Sequence, residues 1–376
     1  MTDENHNNTP SSDPSAFVRR GIPPLRRGFP ARGAMLAGRG GRGGRMNPVA
    51  SWNYSGDERE PGLVEYLEAK QSTVRGDPDA VLDAIWEYKQ QVGHLMIVGK
   101  SKGLGVEKLI RERKPKLILE LGAYVGYSAV YFAKLLPEMY PNGIYPSEWN
   151  AENAGNEDRV GYISIEKMDN FAEIAEKVVD LAGLGEVVKI INGSSTPVLK
   201  SLRKTLNMPA PTTLDMIFID HHKPLYTNDL KVLEDEGLIG KVPRAALLSI
   251  LKILIAWYAQ GTCIVADNVV MPGNPAYLSY IRATPQAKRQ SASKGILDNP
   301  PASFHPNCST KEEWQSSFRD GPLEETRWVP PDSEGVRGKG NPELVYEGWM
   351  LDDVHEAGGW DACEVSICQG EVGDGA

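Results

Sequence analysis

The chain of 376 residues contains only four cysteines. Cys263, Cys308, Cys363 and Cys368 include no CxxC pair, so the sequence indicates neither a zinc knuckle nor a dithiol redox site. Such sparse cysteine is typical of proteins from a reducing compartment. The first 30 residues also lack the apolar run of a secretory signal. We therefore expect a cytoplasmic protein.

Phosphate-binding loops and long apolar segments are missing as well. The chain has no Walker-type GxxxxGK[ST] loop, which argues against a nucleoside triphosphate ligand. Its longest apolar stretch, residues 245–259, contains Lys252 and is too short to cross a bilayer. We therefore expect no association with membranes.

Positive charge is scarce except near the amino terminus. The formal net charge is −9, whereas the first 50 residues hold eight Arg and three acidic residues. An acidic body argues against nucleic-acid binding by bulk electrostatics. The Arg-Gly-Gly pattern over residues 39–45 is either a small RNA contact or part of a solvated tail, and its lack of aromatic residues favours the tail.

The composition of the same 50 residues predicts a disordered arm. They contain eight Gly, six Pro and few large apolar residues, so they cannot bury enough surface to offset the entropy of ordering. We place this arm over residues 1–57 and a single domain over residues 58–376. Polar stretches rich in Pro and Gly predict surface insertions near 137–160 and 287–342, and an unpatterned apolar stretch predicts a third near 242–260.

Short apolar segments alternate with helical patterns from residue 116 onward. Such alternation predicts a Rossmann-like α/β fold with a doubly wound, mostly parallel sheet. Two late segments, at about 344–351 and 362–369, predict an antiparallel hairpin at the sheet edge. The five earlier strands are predicted at 116–120, 162–166, 187–191, 214–220 and 262–267.

Polar residues stand where these predicted strands end. Ligands of doubly wound sheets bind at the carboxyl ends of the strands. The loop after Glu120 lacks the GxGxxG spacing of nicotinamide-binding loops but keeps Gly122 and Gly126, which allow a ligand to approach the backbone closely. Glu166, at the second strand end, is placed to accept hydrogen bonds from both hydroxyls of a ribose.

The last two strand ends carry hard oxygen donors. Asp220, Asp267 and Asn268 form the kind of set that Mg²⁺ prefers, with positions left over for water or substrate. Lys223 follows three residues after Asp220, and an ammonium beside a metal cation is disfavoured, which suits a general base. A transition-metal site at His221-His222 is less favoured, because adjacent side chains on an extended segment point apart.

Three segments resemble the catechol O-methyltransferase family: LELGAYVGYSAV at 119–130, DMIFIDH at 215–221 and ADNV at 266–269. The likeness covers about residues 58–285. It implies transfer of a methyl group from S-adenosylmethionine to one hydroxyl of a small-molecule catechol, with Mg²⁺ as cofactor. We expect a monomeric enzyme.

The resemblance also implies roles for individual residues. Lys223 matches the general base, and Asp220, Asp267 and Asn268 match the metal ligands. Lys223, Asn268 and Pro272 would contact the substrate, with Glu347 as candidate for the acid that holds the second catechol hydroxyl and Glu343 competing for that role. The cofactor would be bound by Met96, Val98, Glu120, Gly122, Tyr124, Ser128, Glu166, Ser195, Asp220 and His221.

The chain departs from the family pattern at two positions of the active-site wall. His94 and His222 stand where the family has Trp, so the aromatic slot for the substrate is expected to differ in shape. Two alternatives stay open. One is an O-methyltransferase for another phenolic or coenzyme-A-linked diol, and the other is an inactive RNA-associated scaffold that uses the basic arm.

Residues 242–260 are interpreted either as a translated intron or as a true extra helix. Their removal joins Lys241 to Gly261 and shortens the separation of Asp220 and Asp267 from 47 to 28 positions, which agrees with the family spacing. Every Val codon begins with GT and Gln can be encoded by CAG, so Val242 and Gln260 are compatible with splice sites.

Overall fold

The computed structural model describes residues 58–242, 261–295, 311–318, 323, 325–351, 354–356 and 359–371. The predicted arm over 1–57, nearly all of the apolar stretch at 242–260, and residues 296–310, 319–322 and 324 of the predicted insertion near 287–342 lie outside the described residues. Within the described ranges, no helix combines the length and the hydropathy needed to span a membrane.

Four helices precede the sheet: α1 (Arg59–Ala69), α2 (Gln71–Val74), α3 (Pro78–Val92) and α4 (Lys100–Arg113). The start of α3 follows from its sequence, because the Asp77 carboxylate accepts a hydrogen bond from Ala80 N at 3.0 Å and Pro78 takes the first helical position. Leu63 of α1 and Ile85 of α3 are fully buried, so both helices pack on the body.

The main sheet has seven strands in the order β3-β2-β1-β4-β5-β9-β6. The first five pair in parallel, and β9 pairs antiparallel with both β5 and β6, which confirms the doubly wound sheet with its late antiparallel pair. A small hairpin, β7-β8, lies between β6 and β9 in the chain. The strands are β1 (Leu117–Leu121), β2 (Gly161–Glu166), β3 (Val188–Asn192), β4 (Met216–Ile219), β5 (Cys263–Ala266), β6 (Leu344–Met350), β7 (Val354–Glu356), β8 (Gly359–Asp361) and β9 (Glu364–Glu371).

Helices cover both faces of this sheet. Alternate strand residues enter different cores: Ile118 and Phe218 pack on one face, and Leu119 and Ile217 on the other. Strands buried on both faces explain the continuous apolar runs in the sequence. The covering helices are α5 (Tyr127–Ala133), α6 (Leu135–Met139), α7 (Asp169–Leu181), α8 (Ser195–Thr205), α9 (Tyr226–Asp235), α10 (Pro275–Ile281), α11 (Pro285–Ser293) and α12 (Lys311–Ser316).

Two predicted insertions contain ordered structure. Near 137–160 a short 3₁₀ helix, Pro146–Glu148, lies beside Arg159, whose guanidinium stacks over the Trp149 ring at 4.1 Å. In the described part of 287–342, Thr326 and Ser333 are buried, so this stretch packs on the body.

The two ends of the apolar stretch at 242–260 lie together. Thr262 N donates to Gly240 O at 2.9 Å, and Gly240 N donates to Thr262 Oγ1 at 2.6 Å. Gly240 and Thr262, the described residues on either side of the stretch, are therefore paired directly before β5.

Backbone hydrogen bonds align the strand ends at one rim. Asp220 N donates to Leu121 O and Asp267 N donates to Ile219 O, both at 2.9 Å. Each polar residue thus lies one position beyond the end of its strand, beside its neighbour. This rim is where the sheet positions the candidate site.

Candidate active site

The loop after β1 approaches the loop after β4 closely. Gly122 has a φ of +101°, and a Cβ there would lie 2.5 Å from the carbonyl oxygen of Asp220. Glu166, at the end of β2, accepts hydrogen bonds from Tyr124 N and Met168 N, both at 2.9 Å. The three predicted cofactor residues Gly122, Tyr124 and Glu166 therefore lie close together, and the absence of a side chain at Gly122 lets the two loops approach.

Glu120 is fully buried at the end of β1. Burial raises the pKa of its carboxyl to about 7, although Ser128 and Ser164 stabilise the ionised form. Ser164 Oγ donates to Oε2 at 2.5 Å, whereas Oε1 has no hydrogen-bond partner among the described residues. A buried carboxylate oxygen with spare acceptor capacity fits the cationic amino group of S-adenosylmethionine, so the residues present suit that cofactor.

Tyr124 is held from α1 by a residue that the sequence analysis missed. Its hydroxyl donates to Glu60 Oε1 at 2.6 Å, and its ring meets the edge of Phe171 with the ring centres 5.0 Å apart. Glu60 is 1% exposed. A carboxylate on the same helix face as Leu63 and Leu67 was the signal that could have identified it.

Asp229 connects two of the predicted cofactor residues. Its carboxylate accepts hydrogen bonds from Ser195 Oγ and Thr196 Oγ1, both at 2.5 Å, and lies 2.8 Å from His221 Nε2. The His221 ring also stacks on Tyr226, with centres 5.0 Å apart. Asp229 was not predicted, because only the tertiary contact of α9 with α8 brings it to these groups.

The remaining predicted cofactor residues belong to two elements. Met96 and Val98 lie in the extended segment between α3 and α4, where Val98 is buried and Met96 half-buried. Ser128 is buried in the first turn of α5, and its hydroxyl contributes a hydrogen bond to Glu120. His94 is exposed at the start of the same extended segment, and its carbonyl oxygen accepts a hydrogen bond from Arg59 at 2.6 Å.

Lys223 lies against the end of β4. Its Nζ is 2.9 Å from Asp220 Oδ1 and 2.7 Å from the hydroxyl of Tyr226, which in turn donates to Asp267 O at 3.2 Å. Burial raises the pKa of the Asp220 carboxyl to about 6, opposed by the ammonium of Lys223 and assisted by the charge of Asp267. The predicted base and the two predicted acidic ligands are therefore neighbours.

A second lysine holds Asp267. Lys102 of α4 is 5% exposed, and its Nζ lies 2.7 Å and 3.0 Å from the two Asp267 oxygens and 2.9 Å from Asp361 Oδ2. Burial alone would raise the pKa of Asp267, but Lys102 and Lys223 keep it below its ordinary value. Neither Lys102 nor Asp361 was assigned a role from the sequence.

Asp361 of β8 also holds the last predicted metal ligand. Asn268 has a left-handed backbone with φ of 56° and donates its Nδ2 to Asp361 Oδ2 at 2.7 Å. This contact leaves the amide oxygen of Asn268 available. Met271 N donates to Asp361 Oδ1 at 3.0 Å, which places Pro272, an exposed residue, at the border of the same cluster.

The structure does not bring Glu347 or Glu343 to this cluster. Glu347 is exposed in the middle of the edge strand β6, and Glu343 pairs with Arg289 at 2.6 Å. The acid that lies beside Asn268 is Asp361, because the β7-β8 hairpin carries it back over the end of β5. The sequence showed no alternation from which this short hairpin could be recognised.

His222 follows two residues after Asp220, and 45% of its side chain is exposed. Its Nε2 lies 3.3 Å from Asp332, which also pairs with Lys167 at 3.1 Å. Ser194 Oγ donates to Asp332 O at 3.0 Å. Burial lowers the pKa of His222 despite this carboxylate. The stretch around Asp332 therefore contacts the rim directly.

The chemistry of the donor set suits a divalent cation. Among the described residues, no group of three or more His, Cys, Asp or Glu side chains is arranged to hold a metal. The candidate set instead combines two carboxylates, Asp220 and Asp267, with the amide oxygen of Asn268. A carboxylate has about four lone-pair positions, so the lysine contacts do not exhaust these acceptors.

Comparisons with known proteins identify the family of this chain. A family model described as a methyltransferase domain matches residues 119–239. Catechol O-methyltransferase of Mus musculus is 33% identical over 229 residues, which are 61% of this chain and 70% of that protein. Its counterpart from Sus scrofa is 35% identical over 187 residues, 50% of this chain and 78% of that protein.

Two further proteins are similar. A probable O-methyltransferase of Mycobacterium tuberculosis is 32% identical over 234 residues, 62% of this chain and 83% of that protein. A solved O-methyltransferase from Bacillus cereus in complex with SAH is 15% identical, covers 82% of this chain and 97% of its own, and has a TM-score of 0.40. On the sequence matches, the chain belongs to the catechol O-methyltransferase family and is an S-adenosylmethionine-dependent O-methyltransferase.

Proposed function

We propose that this enzyme methylates one hydroxyl of a catechol in a Mg²⁺-dependent reaction with Lys223 as general base. The observation that carries the proposal is the cluster at the ends of β4 and β5. There the Lys223 amine lies 2.9 Å from Asp220, and a hydrogen-bonded chain through Tyr226 connects it to Asp267. A base beside a set of hard oxygen donors is the arrangement needed to deprotonate a hydroxyl that is held in place.

The proton is proposed to move from the reacting hydroxyl to Lys223 Nζ. The neutral amine accepts it, and the resulting ammonium is stabilised by Asp220, which is already within hydrogen-bond distance. Tyr226 orients the amine from the other side, since its hydroxyl lies 2.7 Å from Nζ. The deprotonated oxygen would then bond to the methyl carbon in line as the carbon–sulfur bond of the sulfonium breaks, with the thioether S-adenosylhomocysteine as leaving group, so no covalent enzyme intermediate is required.

Asp361 is proposed to hold the second catechol hydroxyl, the role that the sequence analysis assigned to Glu347. Its carboxylate is fixed by Lys102, Asn268 Nδ2 and Met271 N, at 2.9, 2.7 and 3.0 Å. A carboxylate fixed by three donors positions a substrate hydroxyl without reorganising. Holding two reactants at near-attack distance contributes about 7–11 kcal/mol to lowering the barrier.

Asp220, Asp267 and Asn268 would hold the Mg²⁺ ion. When bound, the ion supplies Lewis acidity and a template for the two catechol oxygens. Glu120, Gly122 and Glu166 would hold the S-adenosylmethionine, which supplies the methyl group. His221, fixed by Asp229, and Ser195 are proposed to flank its adenine.

The experiment compares methyl transfer to a simple catechol by wild type, Lys223→Ala and Lys177→Ala. Lys177 is an exposed lysine of α7 and serves as the matched control. We expect Lys223→Ala to lower kcat by about 10²- to 10⁴-fold with little change in the affinity for S-adenosylmethionine. EDTA should abolish turnover, and Mg²⁺ should restore it. Unchanged kcat in Lys223→Ala would remove the base assignment.

A different phenolic substrate is the second candidate. Its basis is the pair His94 and His222 at positions where the family has Trp, because smaller polar rings, one of them paired with Asp332, make a different wall. A panel of catechols and coenzyme-A-linked phenols with His222→Trp separates the two. Activity on the linked phenol alone would replace the catechol proposal, while inactivity on all of them would favour the scaffold interpretation.

A further inference from the structure

A cationic cavity lies away from the rim of the sheet, between α9, α10, α11 and residues 326–342. Its volume is about 340 Å³. None of the residues proposed for catalysis, metal or cofactor lines it. Five cationic side chains do: Lys231, Lys288, Arg327, Arg337 and Lys339. Within the described residues, no acidic side chain is part of the lining.

Two of these lysines are held inside the protein without a carboxylate partner. Lys231 Nζ donates to Thr326 O at 2.6 Å, and Lys288 Nζ donates to Leu344 O at 2.9 Å. Both ammonium groups lie over the ring of Tyr280, at 4.8 Å and 4.5 Å from its centre. Burial lowers the pKa of Lys231 to about 8. The charge of Glu234 opposes this shift, and the charges of Arg337 and Lys288 add to it.

The acids closest to the cavity are engaged elsewhere. Glu234 accepts hydrogen bonds from the hydroxyls of Tyr280 and Tyr346, both at 2.7 Å. Asp235 accepts hydrogen bonds from the backbone N–H groups of Lys339 and Gly340 at 2.7 Å and 3.0 Å. Glu234 acts on Lys231 and Lys288 through space, and Asp235 acts on Lys231, but neither acid forms an ion pair with a lysine of the cavity.

The arginines have donors to spare. Arg327 Nε is buried without a hydrogen-bond partner among the described residues, although its Nη1 donates to Lys294 O at 3.1 Å. The side chains of Arg337 and Lys339 have no hydrogen bond or ion pair with any described residue. Guanidinium groups with free donors match the oxygens of a phosphate, and several cations together select an anion of more than one charge.

We propose that this cavity binds a small soluble molecule that carries two or more phosphate groups. An anion of this kind neutralises the lysines that the fold buries and satisfies the free arginine donors. A concave, partly apolar lining with a few convergent polar groups is typical of a small-molecule site. Tyr280 and Trp328 also line the cavity, so an organic group of the ligand can lie against them beside the phosphates.

Pyrophosphate is the probe for this site. It is titrated by calorimetry into the full-length protein in metal-free buffer, because pyrophosphate also binds Mg²⁺. The variants are Arg337→Gln/Lys339→Gln, both exposed positions, and the control Lys108→Gln on α4, whose side chain is 77% exposed. We expect saturable binding that the double variant weakens at least tenfold and the control leaves unchanged.

Two outcomes would overturn the proposal. Pyrophosphate binding no tighter than that of sulfate at equal ionic strength would mean an adventitious ion only. The second outcome concerns Glu324 and Glu325, the acids that precede Thr326 in sequence. If Glu324→Gln/Glu325→Gln creates pyrophosphate binding that wild type lacks, the chain's own carboxylates neutralise the cavity. If the Arg337→Gln/Lys339→Gln protein fails to fold, the single variant Arg337→Gln is titrated instead and judged by the same criteria.

Discussion

Replacing Lys102 by Met tests how the acidic cluster at the rim is stabilised. Lys102 and Asp267 have side chains that are 6% and 3% exposed, and the Lys102 ammonium is also 2.9 Å from Asp361. Removing one partner of a buried ion pair costs about 3–5 kcal/mol, because the other charge stays buried without compensation. Met keeps most of the side-chain volume, so the loss comes from the charge.

Chemical denaturation of the metal-free protein measures the unfolding free energy, and calorimetry on a separate sample measures the Tm. A loss of about 3 kcal/mol corresponds to a Tm lower by roughly 6–12 °C for a domain of a few hundred residues. The control is Lys100→Met, two residues earlier in α4, whose side chain is 55% exposed and 4.0 Å from Asp83. Such an exposed pair is expected to change the unfolding free energy by less than about 0.5 kcal/mol.

A double variant isolates the charge. Lys102→Met/Asp267→Asn removes the uncompensated carboxylate as well, so it should be more stable than Lys102→Met. A Lys102→Met protein within about 0.5 kcal/mol of wild type would refute the reasoning, and so would purely additive losses in the double variant.

Three further predictions concern Glu120, the apolar stretch and the arm. The folded-state pKa of Glu120, about 7, lies above the ordinary 4.5, so its contribution to stability is present below about pH 4.5 and lost as the pH rises to 7. Relative to Glu120→Gln, cofactor-free wild type should lose roughly 3 kcal/mol of unfolding free energy over this range, and parallel pH curves would contradict this. Deleting residues 242–260 should preserve folding and kcat, because Gly240 and Thr262 are already hydrogen-bonded; a mature transcript that retains these codons would exclude the intron. Deleting residues 1–50 should leave Tm and kcat nearly unchanged, and a decrease in Tm of several degrees would show that the arm docks on the body.

The order of the elements was readable from local pattern. Met216–Ile219 is apolar at every position and Leu117–Leu121 at every position except Glu120, which is the pattern of a parallel strand covered on both faces. The start of α3 is equally local, because Asp77 caps it with its side chain and Pro78 takes the first helical position. These signals depend on residues close together in the chain, so no tertiary information was needed.

The acid beside Asn268 was not readable in this way. The family resemblance implied Glu347 for this role, with Glu343 competing, but the Glu347 side chain is exposed on the edge strand. Asp361 reaches Asn268 across 93 positions of sequence, through a three-residue pairing of β7 with β8. Strands this short have no usable periodicity, and the position of a hairpin over the sheet depends on packing.

The sequence by itself determined the doubly wound fold, the strand ends that carry Glu120, Glu166, Asp220 and Asp267, and the family. It did so because hydrophobic periodicity and polar residues at strand ends are local consequences of burial. Tertiary structure alone decided which charges meet: Lys102 with Asp267, Glu60 with Tyr124, Asp229 with His221, and five cations around one cavity. Each of these contacts joins elements whose separation in space follows from packing. The residues next to a carboxylate or an ammonium in the sequence do not indicate which group it will contact.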